Sequence, residues 1–493
     1  MAELSRTEIL IPSSPAPLPA ESGAILRILG RNTFWLWLDL GALRIGTMLA
    51  GLFLIRYLGP ANFGVYSTAL AAGWLGNCLV DLGLTRYAAR AVAASVGETR
   101  PILALSVLTT VISVAVEILA LFLALRFGYW QLACFAAGFV LCNFEGTASL
   151  CSSILTAELR SRAILPGSVV SAAGLIGLTV AVIYFRLSVL AMLTALCFKS
   201  LLVVGLRLWQ LRAHWPDQED FRSNRLMRTV REALPFFSYN LTQVSYGKIA
   251  LVCFGLVAPK EQVGWFAAAF VLSDVIPQWS YASSGALLPV WTRLFENGRW
   301  EEMIRLRQRL LDVLLFASIP VWISLSFFAP EICALLGPRY VASAPVLRIV
   351  ACRSVLAVLD GFLGHGFLVS VNRLKERQTA LSVSLFLLAA LSTALGYEWG
   401  AEGVAIGLFI SDAVLISHYL RIISKIGMPI EWPAVVPGIL AGAIMAATAA
   451  VLPQGGQPLL KLSAIVLVYV VALTLLSKDR LVDAGKTLQE CIR

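Results

Sequence analysis

Charge is scarce in this 493-residue chain: 14% of its residues are Asp, Glu, Lys or Arg, against about 25% in soluble domains. Histidine is scarcer still, with His214, His365 and His418 far apart in sequence, so a metal centre is not expected. The nine cysteines form no CxxC pair and sit mostly in apolar runs, which suits small core residues and excludes a disulfide framework or zinc site. Nucleotide hydrolysis of the P-loop kind is excluded too, because Gly485-Lys486-Thr487 lacks its leading glycine and has Arg480 there instead. Neither a GxSxG elbow nor an HExxH helix occurs. These absences predict a chain without cofactor or metal and without catalysis.

What is abundant is apolar sequence, at 58%. Runs of about 20 apolar residues, each enough to cross a bilayer, recur along the chain. They fall at 34–58, 63–85, 101–125, 129–156, 163–185, 187–209, 234–257, 263–291, 310–329, 342–369, 378–397, 402–423, 433–452 and 458–477. The fold class read from them is an all-α polytopic membrane protein of about fourteen spans. Residues 1–30 read as a disordered tail, without the charged start and short apolar core of a cleaved signal peptide. The net charge of +10 lies in short connections between spans. It therefore points to topology, and no nucleic-acid partner is expected. With both termini inside, 28 of the 39 basic residues fall in inner connections, including Arg207, Arg307 and Arg377. Five fall outside: Arg56, Arg126, Arg186, Lys260 and Arg339. This asymmetry is the positive-inside pattern, and outer connections this short leave no room for a catalytic domain.

The first six spans (31–209) weakly repeat in the next six (234–425), on either side of a basic linker at 210–233. Gly59-Pro60 matches Ala258-Pro259 at an offset of 199, and Gly64 and Ala69 match Gly264 and Ala269 at an offset of 200. Arg31 likewise precedes span 1 as Arg231 precedes span 7, and Leu206-Arg207 ends span 6 as Leu420-Arg421 ends span 12. Six is even, so the halves enter the membrane in the same direction. Parallel repeats place a ligand site at their interface near mid-depth. Spans 13 and 14 (426–477) lie outside the repeat, and 478–493 forms a second inner tail.

Six cations remain inside spans: Arg44, Lys199, Lys248, Arg348, Arg353 and Lys461. A charge at mid-depth costs about 2.5–3.5 kcal/mol on insertion scales, so such residues are rarely idle. Arg348 and Lys461 lie near outer ends and are expected to snorkel. Arg44 and Lys248 occupy equivalent spans of the repeat, which favours a shared cavity for an anion; Lys199 and Arg353 fit either role. Asn240, Gln243, Gly247 and Lys248 share one face of span 7 at 3–4 spacing, and a polar stripe should face protein or water. Asp39, Glu145, Asp274 and Asp360 are candidate charge partners or coupling sites, pairing being the safer reading.

Three stretches carry a family resemblance. They are Ile55-Arg56-Tyr57-Leu58-Gly59-Pro60-Ala61-Asn62-Phe63-Gly64 with Asp81-Leu82-Gly83-Leu84, Leu335-Leu336-Gly337-Pro338-Arg339-Tyr340 through Arg348, and Gly400-Ala401-Glu402-Gly403-Val404-Ala405. Together they resemble bacterial polysaccharide flippases of the multidrug/oligosaccharidyl-lipid/polysaccharide exporter superfamily. The resemblance implies two six-helix lobes around a central cavity that opens alternately to each side. It implies transport of an undecaprenyl-diphosphate-linked oligosaccharide across the bacterial inner membrane, beside polymerase or export machinery. Cationic cavity residues such as Arg44 and Lys248 would hold the diphosphate or acidic sugars, and spans 13 and 14 would help form a lipid groove. A multidrug exporter of the same superfamily is the alternative, although it should favour an acidic cavity.

Overall fold

A computed structural model describes residues 22–94, 99–158, 160–431, 436–451 and 460–476, with side chains of residues 22–45 outside that description. The helices are α1 (Ser22–Asp81), α2 (Leu84–Ala94), α3 (Thr99–Arg126), α4 (Trp130–Ala157), α5 (Leu165–Tyr184), α6 (Val189–Gln210), α7 (Ser223–Tyr246) and α8 (Ile249–Val257). They continue with α9 (Lys260–Ser273), α10 (Val275–Glu296), α11 (Trp300–Phe327), α12 (Ala329–Leu336) and α13 (Ala344–Leu359). A π-helical segment, Asp360–Phe367, leads into α14 (Leu368–Ser370), then α15 (Leu374–Lys425), α16 (Val436–Val451) and α17 (Leu460–Leu476). No strand occurs among the described residues. The fourteen apolar runs all map onto this series. Spans 1 and 2 share α1, and spans 11 and 12 share α15.

Each shared helix is interrupted at one glycine with positive φ, Gly59 (69°) and Gly400 (61°). Only glycine accepts that backbone without cost. At the second, Gly403 packs on the Leu395 carbonyl and Gly407 on Leu391. These pairs step away evenly on either side of the break, so the two spans form a tight antiparallel hairpin. Other spans are broken differently: span 7 divides into α7 and α8 at Gly247–Lys248, and span 8 into α9 and α10 at Asp274.

Side chains facing outward are those a bilayer would cover. On α3, Val111, Ile112, Val116, Leu119 and Phe122 are all more than half exposed. No water-soluble fold would leave such a face open.

The connections sort by charge. Tyr57 donates to the Leu187 carbonyl (3.2 Å), Tyr340 to Ile55 (2.9 Å) and Trp265 to Arg339 (3.0 Å), while Lys260 stands 5.8 Å over the Trp130 ring. The connections carrying the five sparse cations are therefore gathered at one end of the bundle. The arginine-rich connections lie at the other, the basic end, where Arg100 pairs with Asp217 at 2.5 Å.

Three arginines expected in exposed connections are instead buried at the basic end. Arg207 is the last-turn residue of α6 and donates to Ser168 (3.0 Å). Arg307 donates to the Met428 and Pro429 carbonyls (2.7 Å each) and lies 5.0 Å over Phe367. Arg377 is wholly enclosed near the start of α15. Hydropathy marks them as span ends, but a helix end that meets the next connection is covered by it. The equivalence of Arg207 with Arg421 also fails in detail, since Arg421 is exposed.

Candidate functional site between the lobes

The two six-span lobes meet along a seam, and its two ends are built differently. At the end away from the basic connections, Gly64 of α1 packs on the Lys260 backbone and Gly264 of α9 on the Pro60 carbonyl. A Cβ on either glycine would overlap that oxygen. The contact is reciprocal at the offset of 200: residue 64 meets 260, and 264 meets 60. Such a pairing is what a two-fold axis between two copies produces.

At the basic end, α1–α2 of the first lobe meets α7. Asn240 donates to Asp81 at 3.1 Å. Tyr87 donates to Glu232. Arg86 lies 5.6 Å from the Tyr239 ring centroid. Gly83, at φ 82°, sits so close that a Cβ would come 2.5 Å from the Phe237 nitrogen. Both ends of the seam are thus closed.

Of the predicted stripe on span 7, Asn240 and Gln243 meet protein partners, different ones, while Gly247 is exposed. Asn240 turns to the first lobe. Gln243 accepts from Arg377 at 2.7 Å, within the second. Tyr246, the last residue of α7, donates to Asp412 at 2.5 Å. The helix then breaks, and Lys248 is half-buried at the start of α8, in electrostatic range of Cys142 on α4. Its backbone (φ −125°, ψ −26°) is outside the helical basin.

The remaining predicted residues are placed as follows. Lys199 donates to Glu145 (2.7 Å) and Ser171 (3.1 Å), and Ser200 also donates to Glu145 (2.5 Å), all within the first lobe. Arg353 donates to Asp412 at 2.5 Å and lies 5.5 Å over Phe270. Both cations are therefore matched by a carboxylate, which cancels most of the cost of burying either charge. Asp274, at the α9–α10 break, accepts from Gln278 at 3.0 Å. Arg348 and Lys461 lie far from the seam, lining a cavity of about 850 Å³ between α11, α13, α16 and α17. The side chains of Asp39 and Arg44 are outside the described residues; α1 carries both.

Asp360, the last of the candidate charge partners, lies in a second polar cluster on the π-helical segment, whose other members, Tyr281, His365, Arg377 and Tyr419, sequence reasoning did not single out. Asp360 accepts from Tyr281 (3.0 Å) and Tyr419 (3.1 Å), with His365 Nδ1 at 3.7 Å. Arg377 reaches Tyr239 (3.2 Å) and His365 Nε2 (3.1 Å). The His365 ring thus stands between the Arg377 guanidinium and the Asp360 carboxylate. The wide turn is held by α10: Ser280 donates to Val358 O (2.6 Å) and Ser284 to Gly361 O (2.7 Å). Gly361 and Gly366 allow α10 this close approach, because a Cβ on either would press into Ser280 or Ser284. The available signal was three glycines around a single histidine: Gly361, Gly364, His365, Gly366.

Comparison with known proteins places this architecture. The family model described as "Polysaccharide biosynthesis protein" matches residues 29–295. Among solved structures, the lipid II flippase MurJ in an inward closed conformation superposes with a TM-score of 0.71 at 13% identity, covering 89% of this chain and 99% of that one. An inward-facing multidrug resistance MATE family transporter of the MOP superfamily gives 0.57 at 14% identity, covering 79% and 99%. At such identities the likeness is one of fold. No curated protein sequence matches the chain. The family model spans the whole first lobe and enters the second, more than half of the chain: the chain belongs to the polysaccharide biosynthesis protein family.

Proposed function

We propose that the chain flips an undecaprenyl-diphosphate-linked oligosaccharide from the cytoplasmic to the periplasmic leaflet by alternating opening of the seam. The observation that carries this reading is the break in span 7. A helix that starts inside a membrane presents its first amides without intrahelical partners and the positive end of its dipole. Half-helix N-termini of this kind face anionic substrate groups in transporters. Here α8 starts near the middle of span 7 with Lys248 as its cap, which supports a site where a cationic side chain and the helix start both favour an anion. A diphosphate is such an anion, and its hydrocarbon tail can stay in lipid while the head group passes. Arg44, on the equivalent span of the first lobe, would supply the matching cation. Lys199 and Arg353, engaged with Glu145 and Asp412, then act by holding their lobes rigid. The basic end faces the cytoplasm of a bacterial inner-membrane protein, with both termini inside, and polymerase or export machinery takes the product.

The test is single Lys248→Ala and Arg44→Ala variants in the producing cell. Surface polysaccharide is expected to be lost while membrane levels of the protein are unchanged. Normal polymer output from both variants refutes the cation role. A drug-sensitive deletion strain with normal polysaccharide would favour a multidrug exporter instead.

A further inference from the structure

The polar cluster on the π-helical segment carries an inference that does not depend on what crosses the seam. Arg377 is wholly enclosed. Among the described residues its hydrogen-bond partners are Tyr239, Gln243 and the His365 ring, none of them a carboxylate. Lys199 and Arg353, by contrast, each touch one. Arg377 instead has a titratable ring against its Nη2, with Nε2 at 3.1 Å and Nδ1 at 3.4 Å. Imidazole is the side chain that ordinarily changes charge between pH 5 and 8.

The wide turn explains why a carboxylate stands on the other side of that ring. In an α-helix, residues five apart diverge by about 140°. The i→i+5 bonding of a π turn brings them to one face, and such turns concentrate at functional sites. Asp360 and His365 are five apart, with Oδ2 and Nδ1 at 3.7 Å. The other neighbours of the ring are Tyr281 of α10, edge-on with its centroid at 4.8 Å, and Arg86 of the first lobe, in electrostatic range. Tyr419 of α15 donates to Asp360, Arg353 of α13 is committed to Asp412, and α14 supplies no titratable group.

Arg377 ties this cluster to the seam. It holds Tyr239 and Gln243, both on α7, the helix that meets the first lobe at the basic end. The Tyr239 ring is approached from both lobes: Arg86 of α2 and Arg377 of α15 each stand 5.6 Å from its centroid. A proton on His365 makes the ring a cation with two N–H donors. It would then oppose Arg377 at close range, oppose Arg86 across the seam and attract Asp360. Parting the lobes at the basic end takes Arg86 away and frees Arg377 to withdraw, while Asp360 stays on the same turn. The open form is thus the better host for the proton, and a ligand shifts a two-state equilibrium toward the form that binds it better. We infer that a proton on His365 unlatches the basic end of the seam, acting through Arg377 and Tyr239 of the second lobe on Arg86 of the first. The His365 side chain is 22% exposed, so water can deliver that proton.

The experiment is pulsed electron paramagnetic resonance on the full chain in nanodiscs, with spin labels carried by unnatural amino acids at the exposed positions Ala89 of α2 and Lys375 of α15. From pH 8 to pH 5.5 the ratio of long to short distances should rise about fivefold or more, the lower end of usual coupling between two sites. His365→Gln keeps a polar side chain but takes no proton, so its ratio should be the same at both pH values. Arg86→Gln, at an exposed position, should raise the long-distance share at pH 8 and shrink the response to acid. Glu232→Gln should keep the full response, because that carboxyl already lies below its ordinary 4.5 in the folded protein. Circular-dichroism melts matching the parent establish that each variant folds. An unchanged ratio in the parent, a full response in His365→Gln or Arg86→Gln, or its loss in Glu232→Gln overturns the latch.

Discussion

Replacing Gly264 by alanine tests whether the seam opens at the end away from the basic connections. In the closed form the new Cβ would overlap the Pro60 carbonyl oxygen. That atom belongs to backbone, so it cannot rotate away. Overpacking of this kind costs about 1–3 kcal/mol, and a backbone obstacle argues for the middle of that range or above. Alanine also raises helix propensity over glycine by about 1 kcal/mol, but the gain is the same with the seam open or closed and cancels from their ratio. The net effect is about 2 kcal/mol against the closed form, or roughly a 30-fold change in its population relative to the open one. Gly64→Ala should act likewise against Lys260. The double variant should shift the ratio by at most the two effects added, since the open form has neither overlap, and by less if a small shift of the closed lobes made for one overlap also eases the other. Spin labels carried by unnatural amino acids at the exposed positions Asn62 and Glu261 leave the native cysteines untouched. Pulsed electron paramagnetic resonance is expected to show a longer-distance population in each single variant. A single unchanged short distance in both, from folded protein, would refute the argument that this contact closes the seam.

Two further outcomes concern the lobes themselves. Arg353→Ala or Asp412→Ala strands a buried charge and should destabilise the second lobe by about 3–5 kcal/mol, whereas Arg353→Met with Asp412→Leu should recover most of that loss; melting temperatures in detergent check both. At the basic end, the hydrogen bonds from Arg228 and then Tyr87 hold the Glu232 carboxyl below its ordinary 4.5. A depressed folded value means that the Tyr87–Glu232 link contributes fully above about 4.5 and is lost as the pH falls through the lower folded value. Distances across that end should lengthen on acidification below 4.5, and Glu232→Gln should remove the dependence.

Spans were legible because bilayer thickness sets their length and turns need particular residues; Gly59-Pro60 and Gly400 fall where the chain reverses. The reciprocal glycine contact was half legible: the offset between Gly64 and Gly264 could be read, but not that the two helices touch. Pairings were not legible. Lys199 and Glu145 are 54 residues apart, and Arg353 and Asp412 are 59 apart, so no local pattern links them. Arg307 and Arg377 were hidden for another reason. Counting charge by connection assumes that a connection is wet, and these two are roofed by Met428–Pro429 and by Tyr239 with Gln243. The break before Lys248 shows in sequence only as one glycine within an apolar run.

The reciprocal contact of Gly64 and Gly264 has a consequence for how this protein can change over time. In a symmetric pair of separate identical chains, every substitution at the interface would appear twice, and each improvement on one side would be imposed on the other. Within one chain the two sides vary independently. Pro60 and Lys260 already show it: each supplies the backbone that the opposite glycine meets, yet one offers only a carbonyl and the other also sets its ammonium over Trp130. The hinge line can therefore be retuned one lobe at a time, weakening the closed form from one side while the other keeps its fit. A symmetric ancestor would have had no such fine adjustment.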